Sequence, residues 1–292
     1  MKQTKVVVVI LCTMLFLSSC ASLGKREEPY YHFQGMAQSG AIVATVDLSA
    51  EPDLVVAAFG GVEEIANRAQ RLSVSLVPTN DEYPLEPEAL VASGVIEGDF
   101  PSFILNTGMM YVRDLTRVSN DDGLSWFTQK QGSLSMHAPK NNVLVFTNGE
   151  YESAYASYKD RNRFITNEVA QRMANASFAL YAFEPETFFD LGLNLPQSVF
   201  QQAREVLLLV HNADGIYTIN AYITMENQKL ATTLSQMVRS SYLGRLKKEK
   251  ISFKIADLKL MFLLEDDLVT IEQMPLSEEQ IQLLKQSLTR VL

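Results

Sequence analysis

Cys20 is the residue of this chain with the most distinctive chemical setting. It follows an uncharged apolar run of twelve residues, 6–17, which is itself preceded by Lys2 and Lys5. Such a run is short for a membrane-spanning helix, which needs about 20 apolar residues. A short positive segment followed by an apolar segment is instead typical of a secretory signal. At the end of such a signal, the thiol could form half of a disulfide, act as a reactive group or be a point of covalent attachment.

The residues immediately before Cys20 favour covalent attachment. Leu17-Ser18-Ser19-Cys20 resembles the bacterial lipobox, in which a branched residue and two small residues precede a cysteine. The resemblance implies cleavage before Cys20 and acylation of both its sulfur and the new amino terminus. We therefore expect a signal peptide over residues 1–19 and no cofactor other than the covalent acyl chains. Several acyl chains on one cysteine give stable anchoring, whereas a single chain does not.

Loss of the signal changes the charge and the cysteine content of the chain. Cys12 leaves with the signal, so Cys20 has no partner for an internal disulfide and the body must be held together by its core. Without Lys2 and Lys5, 23 basic residues face 34 acidic ones, a net charge of −11. Because phosphate binding needs a basic face, we expect no nucleic-acid partner.

Side chains able to do catalysis are scattered rather than clustered. There is no Gly-x-Ser-x-Gly elbow, phosphate-binding glycine loop or His-Glu-x-x-His pattern. The acidic pairs lack the alternating ligands of a calcium loop, so we interpret them as solvated turns, and Trp126 as a core residue. We expect no enzymatic activity and no metal site from the isolated histidines and these acids: His32, His137, His211, Asp121, Asp122, Glu265, Asp266 and Asp267.

The predicted order of strands and helices is repeated along the chain. Residues 20–40 are polar without periodicity and predict a lipidated N-terminus and tether. Residues 41–160 and 161–292 each predict strand, helix, strands, helix, strands and helix, although chance could produce so weak a likeness. We expect an α/β (α+β) fold in which amphipathic helices pack on a mixed or antiparallel sheet. Two related halves that share this sheet would suit the length of the chain.

Several elements are predicted individually by their periodicity and end signals. We expect strands at 41–48, 72–77, 124–128, 133–137, 143–147, 177–183, 258–264 and 268–272, and a hairpin of 205–210 with 216–225. Helices are expected at 51–66, 100–110, 150–174, 184–191 and 227–248. Ser277 with Gln280 three residues later predicts a capping box for a final helix.

Two helices carry apolar stripes that could face either a core or a bilayer. A stripe usually faces the core, but a stripe beside cationic residues also suits a membrane interface with anionic headgroups. The first helix ends in a basic group, which includes Arg239 and Lys250. The candidate membrane- or lipid-binding residues of the two helices are Leu230, Leu234, Val238, Arg245, Lys247, Lys248, Ile281, Leu284, Leu288 and Val291.

The lipobox and these two helices resemble the treponemal (spirochaete) outer-membrane-associated lipoproteins. That resemblance implies an α/β/α body whose amphipathic helices open to expose an apolar cavity and enter the inner leaflet of the outer membrane. We therefore expect an exported lipoprotein, anchored on the periplasmic face of the outer membrane, that associates with membrane lipids through its helices and binds or carries a lipid. The alternative is a non-enzymatic periplasmic scaffold that binds other envelope proteins.

Overall fold

The computed structural model describes residues 29–51, 67–82, 84–86, 89–188 and 197–291, with the backbone alone at 197 and 287–291. Twelve strands in this part of the chain form one antiparallel sheet. In chain order they are β1 (Ile42–Asp47), β2 (Ala69–Pro78), β3 (Leu90–Gly98), β4 (Leu115–Ser119), β5 (Ser125–Gln129), β6 (Ser135–Lys140), β7 (Val143–Thr147), β8 (Phe178–Phe183), β9 (Ala203–Ala213), β10 (Ile216–Met225), β11 (Phe262–Glu265) and β12 (Leu268–Pro275).

A 3-10 helix and seven α-helices belong to the same described residues. The 3-10 helix spans His32–Gly35. The α-helices are α1 (Ser102–Tyr111), α2 (Tyr151–Lys159), α3 (Asn167–Ala174), α4 (Gln197–Phe200), α5 (Gln228–Lys248), α6 (Ile255–Met261) and α7 (Glu278–Val291). The fold is thus the expected α+β class, and its sheet is antiparallel. The helix predicted at 51–66 lies outside the described residues except for Glu51. The helix predicted at 184–191 is wrong over residues 184–188, which are not helical, and its last three residues lie outside the described residues.

The strand order of the sheet repeats about its centre. The full order is β11-β12-β10-β9-β8-β1-β2-β3-β7-β6-β5-β4. The first strands of the two halves, β1 and β8, pair with each other in the middle, Ala44 opposite Leu180. Outward from this pair, β1-β2-β3-β7 on one side corresponds to β8-β9-β10-β12 on the other. The two halves predicted from the sequence thus contribute adjacent sets of strands to one sheet, and their relatedness stays a prediction.

One face of the sheet carries most of the core. Along β1, Ile42, Ala44 and Val46 point to this face, while Val43 points to the other, as the two-residue period of a strand requires. Both sets are buried, so the central strands are apolar on both sides. Side chains of α1, α5, α6 and α7 cover this first face, which we call the major face.

The opposite face is covered by the 3-10 helix, α2 and α3. Phe33, Ile165 and Met173 are fully buried there, and Tyr151 of α2 packs on Val95 and Val145. Helices therefore lie on both faces of the sheet. Phe33 also corrects the predicted tether: from Tyr31 onward the segment is part of the body, because its aromatic side chains supply the core of this minor face.

Two other predicted elements differ from the structure, and one observed strand was not predicted. The strand predicted at 258–264 is wrong over its first half, where α6 ends at Met261 and only β11 is extended. The single helix predicted at 150–174 is two helices, and Thr166 caps the second by accepting a hydrogen bond from the Val169 amide at 3.4 Å. The edge strand β4 was not predicted, because its side chains are largely exposed and it lacks an apolar face.

No helix among the described residues is long and apolar enough to cross a membrane.

Candidate functional site

The apolar stripe of α5 faces the sheet. Leu234 and Val238 are buried in the core of the major face, and Leu230 is packed against it. These three apolar side chains, which could face either a core or a bilayer on sequence grounds, therefore face the core in this structure. The stripe has a partner because α5 lies across the end of the sheet, over β10, β11 and β12.

The basic end of α5 is divided between bound and exposed side chains. The Arg245 guanidinium donates to Gln280 Oε1 at 2.5 Å and to the Pro275 carbonyl at 2.7 Å, and it stacks over the Tyr242 ring. Arg239 donates to the Phe262 carbonyl at 3.2 Å. Lys247 and Lys248 are exposed. Arg245 therefore joins α5 to the start of α7, while the lysines face solvent.

The C-terminal helix α7 also lies against the core. The predicted capping box is present: the Ser277 amide donates to Gln280 Oε1 at 3.0 Å, and the Gln280 amide donates to Ser277 Oγ at 3.3 Å. Ile281 is buried and Leu284 is half-buried. The side chains of Leu288 and Val291 lie outside the described residues.

The space between α7 and the sheet is small. The cavity beneath the helix has a volume of about 20 Å³ and is lined by apolar side chains that include Phe178, Leu208 and Leu284. For comparison, an apolar cavity of about 150 Å³ holds one benzene molecule. The cavity is therefore far too small for an acyl chain in this conformation.

A buried polar cluster fixes α7 to the sheet. The Lys285 ammonium lies 3.0 Å from Glu51 Oε2, the Tyr217 hydroxyl donates to Glu51 at 2.9 Å, and Asn212 Nδ2 donates to Glu51 Oε1 at 3.1 Å. Burial, together with the hydrogen bond to Glu51, raises the pKa of Tyr217. Burial alone would lower the pKa of Lys285, but its hydrogen bonds to Glu51 and Tyr217 outweigh that effect and raise it. Both shifts favour the protonated side chains around a single carboxylate.

The most exposed apolar surface belongs to α1. Leu105 and Met109, one turn apart, point into the core, whereas the outward side chains are also apolar. The exposed fractions of these outward residues run from 57% for Met110 to 80% for Tyr111; the set is Phe103, Ile104, Met110 and Tyr111. No charged residue occurs between Asp99 and Arg113. A helix that is apolar all round is normally buried, so the outer face of α1 lacks the cover that its composition predicts.

The position of α1 is fixed by hydrogen bonds to its neighbours. Asn106 Nδ2 donates to the Ala138 carbonyl at 2.9 Å, and the Ala138 amide donates to Asn106 Oδ1 at 3.0 Å. Asn141 Oδ1 accepts from the Ser102 amide at 3.0 Å, which caps the helix. These hydrogen bonds attach α1 to its neighbouring elements, so the apolar outer face belongs to a helix whose position is fixed.

A second exposed apolar surface surrounds α6. Ile255 and Leu260 are 71% and 72% exposed, and Ile251, Phe253 and Leu264 are also exposed. Within α6, Leu258 is buried in the core and Met261 packs against it at the end of the helix. The sequence contained signals for both surfaces: the uncharged stretch of α1, and the lysines that alternate with apolar residues around α6. The candidate residues named from the stripes missed both.

The minor face contains the larger open spaces. A cavity of about 250 Å³ has mixed lining that includes Met36, Ser93, Tyr158 and Phe164. A wider polar groove of about 590 Å³ is lined in part by His32, Glu97 and Lys140.

Burial dominates the electrostatics at one wall of this groove. His32 Nε2 lies 3.9 Å from Glu97 Oε1. Burial lowers the pKa of His32 to about 4, with Lys140 and Arg161 acting in the same direction, and burial raises the pKa of Glu97. Burial also lowers the pKa values of His137 and His211. Within the described ranges, no three metal-binding side chains come together.

The fold and these surfaces define a class of proteins built on one antiparallel sheet. Helices cover both faces of the sheet, and the helices of one face carry exposed apolar side chains. Structures of TP0453 from Treponema pallidum have this fold. Crystal form I matches with a TM-score of 0.60 and 12% identity over 87% of this chain and 96% of that chain. Form III gives 0.58 and 11% over 87% and 97%, and form IV gives 0.55 and 10% over 85% and 94%.

At this level of identity the match establishes the shared fold. A spirochaete protein among the structural neighbours agrees with the treponemal resemblance of the sequence. No protein-family model and no curated protein matches the sequence.

Proposed function

We propose that the chain is a non-enzymatic envelope lipoprotein, anchored by acyl chains on Cys20, whose body rests on the bilayer surface through the outer face of α1. The observation that carries this proposal is the exposure of Phe103, Ile104, Met110 and Tyr111 on one uncharged, firmly held helix. Exposed apolar patches on soluble domains mark contacts with proteins or membranes. A bilayer is favoured because a helix lying in the interface can bury such a face at the boundary between headgroups and acyl chains.

The expected gain from this contact is substantial. Full burial of a large apolar side chain contributes about 1.5–3 kcal/mol. Four partly exposed side chains entering the interface would therefore contribute on the order of 5 kcal/mol before the cost of ordering. That contribution would add to the stable attachment that the acyl chains provide, and it would hold the body itself against the bilayer surface.

Lipid carriage is the narrower part of the expected function, and the small cavity under α7 gives it no support in this conformation. We therefore restrict the proposal to association with the bilayer surface. The alternative function, a scaffold for envelope proteins, would use the same exposed helix. The following experiment distinguishes the two functions.

The test uses the chain from residue 20 with Cys20→Ser, which carries no acyl group, and sedimentation with phospholipid vesicles. The variant Phe103→Ser/Tyr111→Ser should lose most of the vesicle-bound fraction and keep the parent's melting temperature, because both side chains are exposed. The matched control Phe164→Ser/Ile216→Ser removes two exposed apolar residues elsewhere and should bind like the parent. If the α1 variant sediments with vesicles as the parent does, α1 is not the membrane contact.

A further inference from the structure

Positive charge is concentrated where α5 passes into α6. Residues 247–260, which we call the cationic corner, contain five lysines against Glu249 and Asp257, a net charge of +3 in a chain whose total is −9. The lysines are Lys247, Lys248, Lys250, Lys254 and Lys259. All five are exposed. The local charge is therefore opposite in sign to that of the whole protein.

These lysines are not used to hold the fold together. Among the residues that the structure describes, none of the five forms an ion pair within 4.0 Å, whereas Lys285 is paired with Glu51. The arginines of the same region, Arg239 and Arg245, donate to carbonyl groups of neighbouring elements. The structural cations and the exposed cations of this region are thus different residues.

Exposed apolar side chains alternate with the lysines of the cationic corner. Ile251, Phe253, Ile255 and Leu260 are each at least 41% exposed, and Leu258 alone in this segment is buried. Lysine can lay its aliphatic stem along apolar surface while its ammonium stays in water. A surface of this composition suits a boundary between an apolar phase and an anionic aqueous layer.

Lys250 lies in the turn that follows the end of α5. Lys250 has φ +56°, the left-handed conformation in which a helix commonly ends, and the Ile251 amide donates to the Leu246 carbonyl at 2.9 Å. Glycine is the usual residue in this position because it has no Cβ. Glycine would therefore fit this position without strain, so the Lys250 side chain can be removed there without loss of stability.

We propose that the cationic corner binds the headgroups of anionic phospholipids and so makes the bilayer contact selective for anionic membranes. This inference rests on the proposed function, because it names the lipid class that the same helical layer would contact. Lysine ammonium groups attract the negative surface potential of such membranes, and the apolar side chains between them enter the interface. An acidic protein would neutralise the lysines. It would also need apolar pockets that fit the side chains between them, a requirement that a bilayer does not impose.

The experiment compares vesicles of phosphatidylcholine alone with vesicles that also contain phosphatidylglycerol. The parent should partition more strongly onto the anionic vesicles, and the difference should shrink as salt screens the charges. Because each basic residue near an anionic surface contributes roughly fivefold to partitioning, Lys254→Gln/Lys259→Gln should weaken anionic binding about 25-fold. Binding to neutral vesicles should not change.

Two further variants separate this role from general charge and from stability. Lys159→Gln/Lys229→Gln removes two exposed lysines elsewhere and should keep the parent's preference for anionic vesicles. Lys250→Gly relieves the left-handed strain, so it should melt at or above the parent's temperature yet bind anionic vesicles about fivefold less.

Each outcome has a definite meaning. A parent that binds both vesicle types equally, or a Lys254→Gln/Lys259→Gln variant that binds like the parent, overturns the inference and leaves the proposed function standing. A parent that binds neither vesicle type overturns the proposed function itself. Binding to soluble polyglutamate without binding to anionic vesicles would instead identify an acidic protein as the partner and overturn the lipid assignment.

Discussion

Replacing Lys285 by methionine should loosen α7 from the sheet. Glu51 is 4% exposed and would keep its hydrogen bonds from Tyr217 and Asn212, but it would lose its only paired ammonium among the described residues. Removing one partner of a buried ion pair typically costs about 3–5 kcal/mol, because the other charge is left uncompensated. The Lys285 side chain retains 21% exposure, so the pair is partly screened and we expect a loss of about 2–3 kcal/mol.

A double-mutant cycle isolates the contribution of the pair. Glu51→Gln should cost about 1–2 kcal/mol, because a glutamine oxygen still accepts from Tyr217 and the ammonium can turn toward water. Glu51→Gln/Lys285→Met should be little worse than the worse single variant, which gives a coupling energy of about 1–2 kcal/mol. Urea unfolding followed by circular dichroism measures each free energy of unfolding. A coupling energy within the error of zero would refute the view that this pair holds α7.

Alkaline pH provides a second test of the same cluster. The pKa of Lys285 is raised in the folded protein, so the stability it contributes is complete below the unfolded lysine pKa of about 10.4. That contribution disappears as pH rises through the folded value. The parent should therefore lose its greater stability relative to Lys285→Met in strongly alkaline solution. The pKa of Tyr217 is also raised, so ionisation of this side chain should destabilise both proteins in the same pH range.

Three further perturbations test the minor face, the sheet and the anchor. The pKa of buried His32 is about 4 in the folded protein, below its unfolded value, so its contribution to stability is present above pH 6.5 and declines as pH falls toward 4. In urea unfolding at a series of pH values, His32→Gln should lose about 2–3 kcal/mol less stability on acidification than the parent. Equal pH profiles of the two proteins would contradict the assignment. A Cβ at Gly94 would lie 2.5 Å from the Ser73 carbonyl oxygen and 2.7 Å from the Phe146 ring, so Gly94→Ala should destabilise the protein by about 1–3 kcal/mol, and an unchanged melting temperature would contradict this. Cys20→Ser should abolish labelling with palmitate and partitioning into detergent, whereas continued labelling would exclude the lipobox interpretation.

Local signals in the sequence predicted the elements whose ends are fixed by their own side chains. The hairpin of β9 and β10 turns at Asp214 and Gly215, both with positive φ, as a two-residue turn that contains glycine requires. Asn227 caps α5 by accepting a hydrogen bond from the Leu230 amide at 3.1 Å. These interactions span only a few residues, so tertiary context does not alter them.

Elements that depend on their surroundings were harder to predict. The apolar stretch around α6 contains residues at both strand and helix spacing, and in the folded protein it forms a helix that packs Leu258 and Met261 on the core. Strand β4 exists because β5 pairs with it at the edge of the sheet, with Thr116 opposite Thr128. Its exposed side chains carry no pattern of burial, so the pairing partner rather than the residue pattern defines it.

The same limit applies to the candidate site. Periodicity identified the apolar stripe of α5, yet it does not specify whether a sheet or a bilayer covers that stripe, and the sheet does. For α1, the inward Leu105 and the outward Phe103 are both apolar, so composition alone does not distinguish the buried side from the exposed side. The direction of each side chain is set by how the helix is attached to β6, which is a property of the whole fold.

The ladder between β1 and β8 has a consequence for how copies of the chain interact during folding. It pairs Ile42 with Ala182 and Val46 with Phe178, so β1 has an unpaired edge until the second half of the chain has formed. That edge is apolar on both faces, and the β8 of another copy matches it as well as the chain's own β8 does. Crowded, incompletely folded chains can therefore exchange halves and become domain-swapped dimers in which every strand has its normal neighbour. We therefore expect the folding of this sheet to depend on chain concentration, with dilution during refolding favouring pairing within one chain.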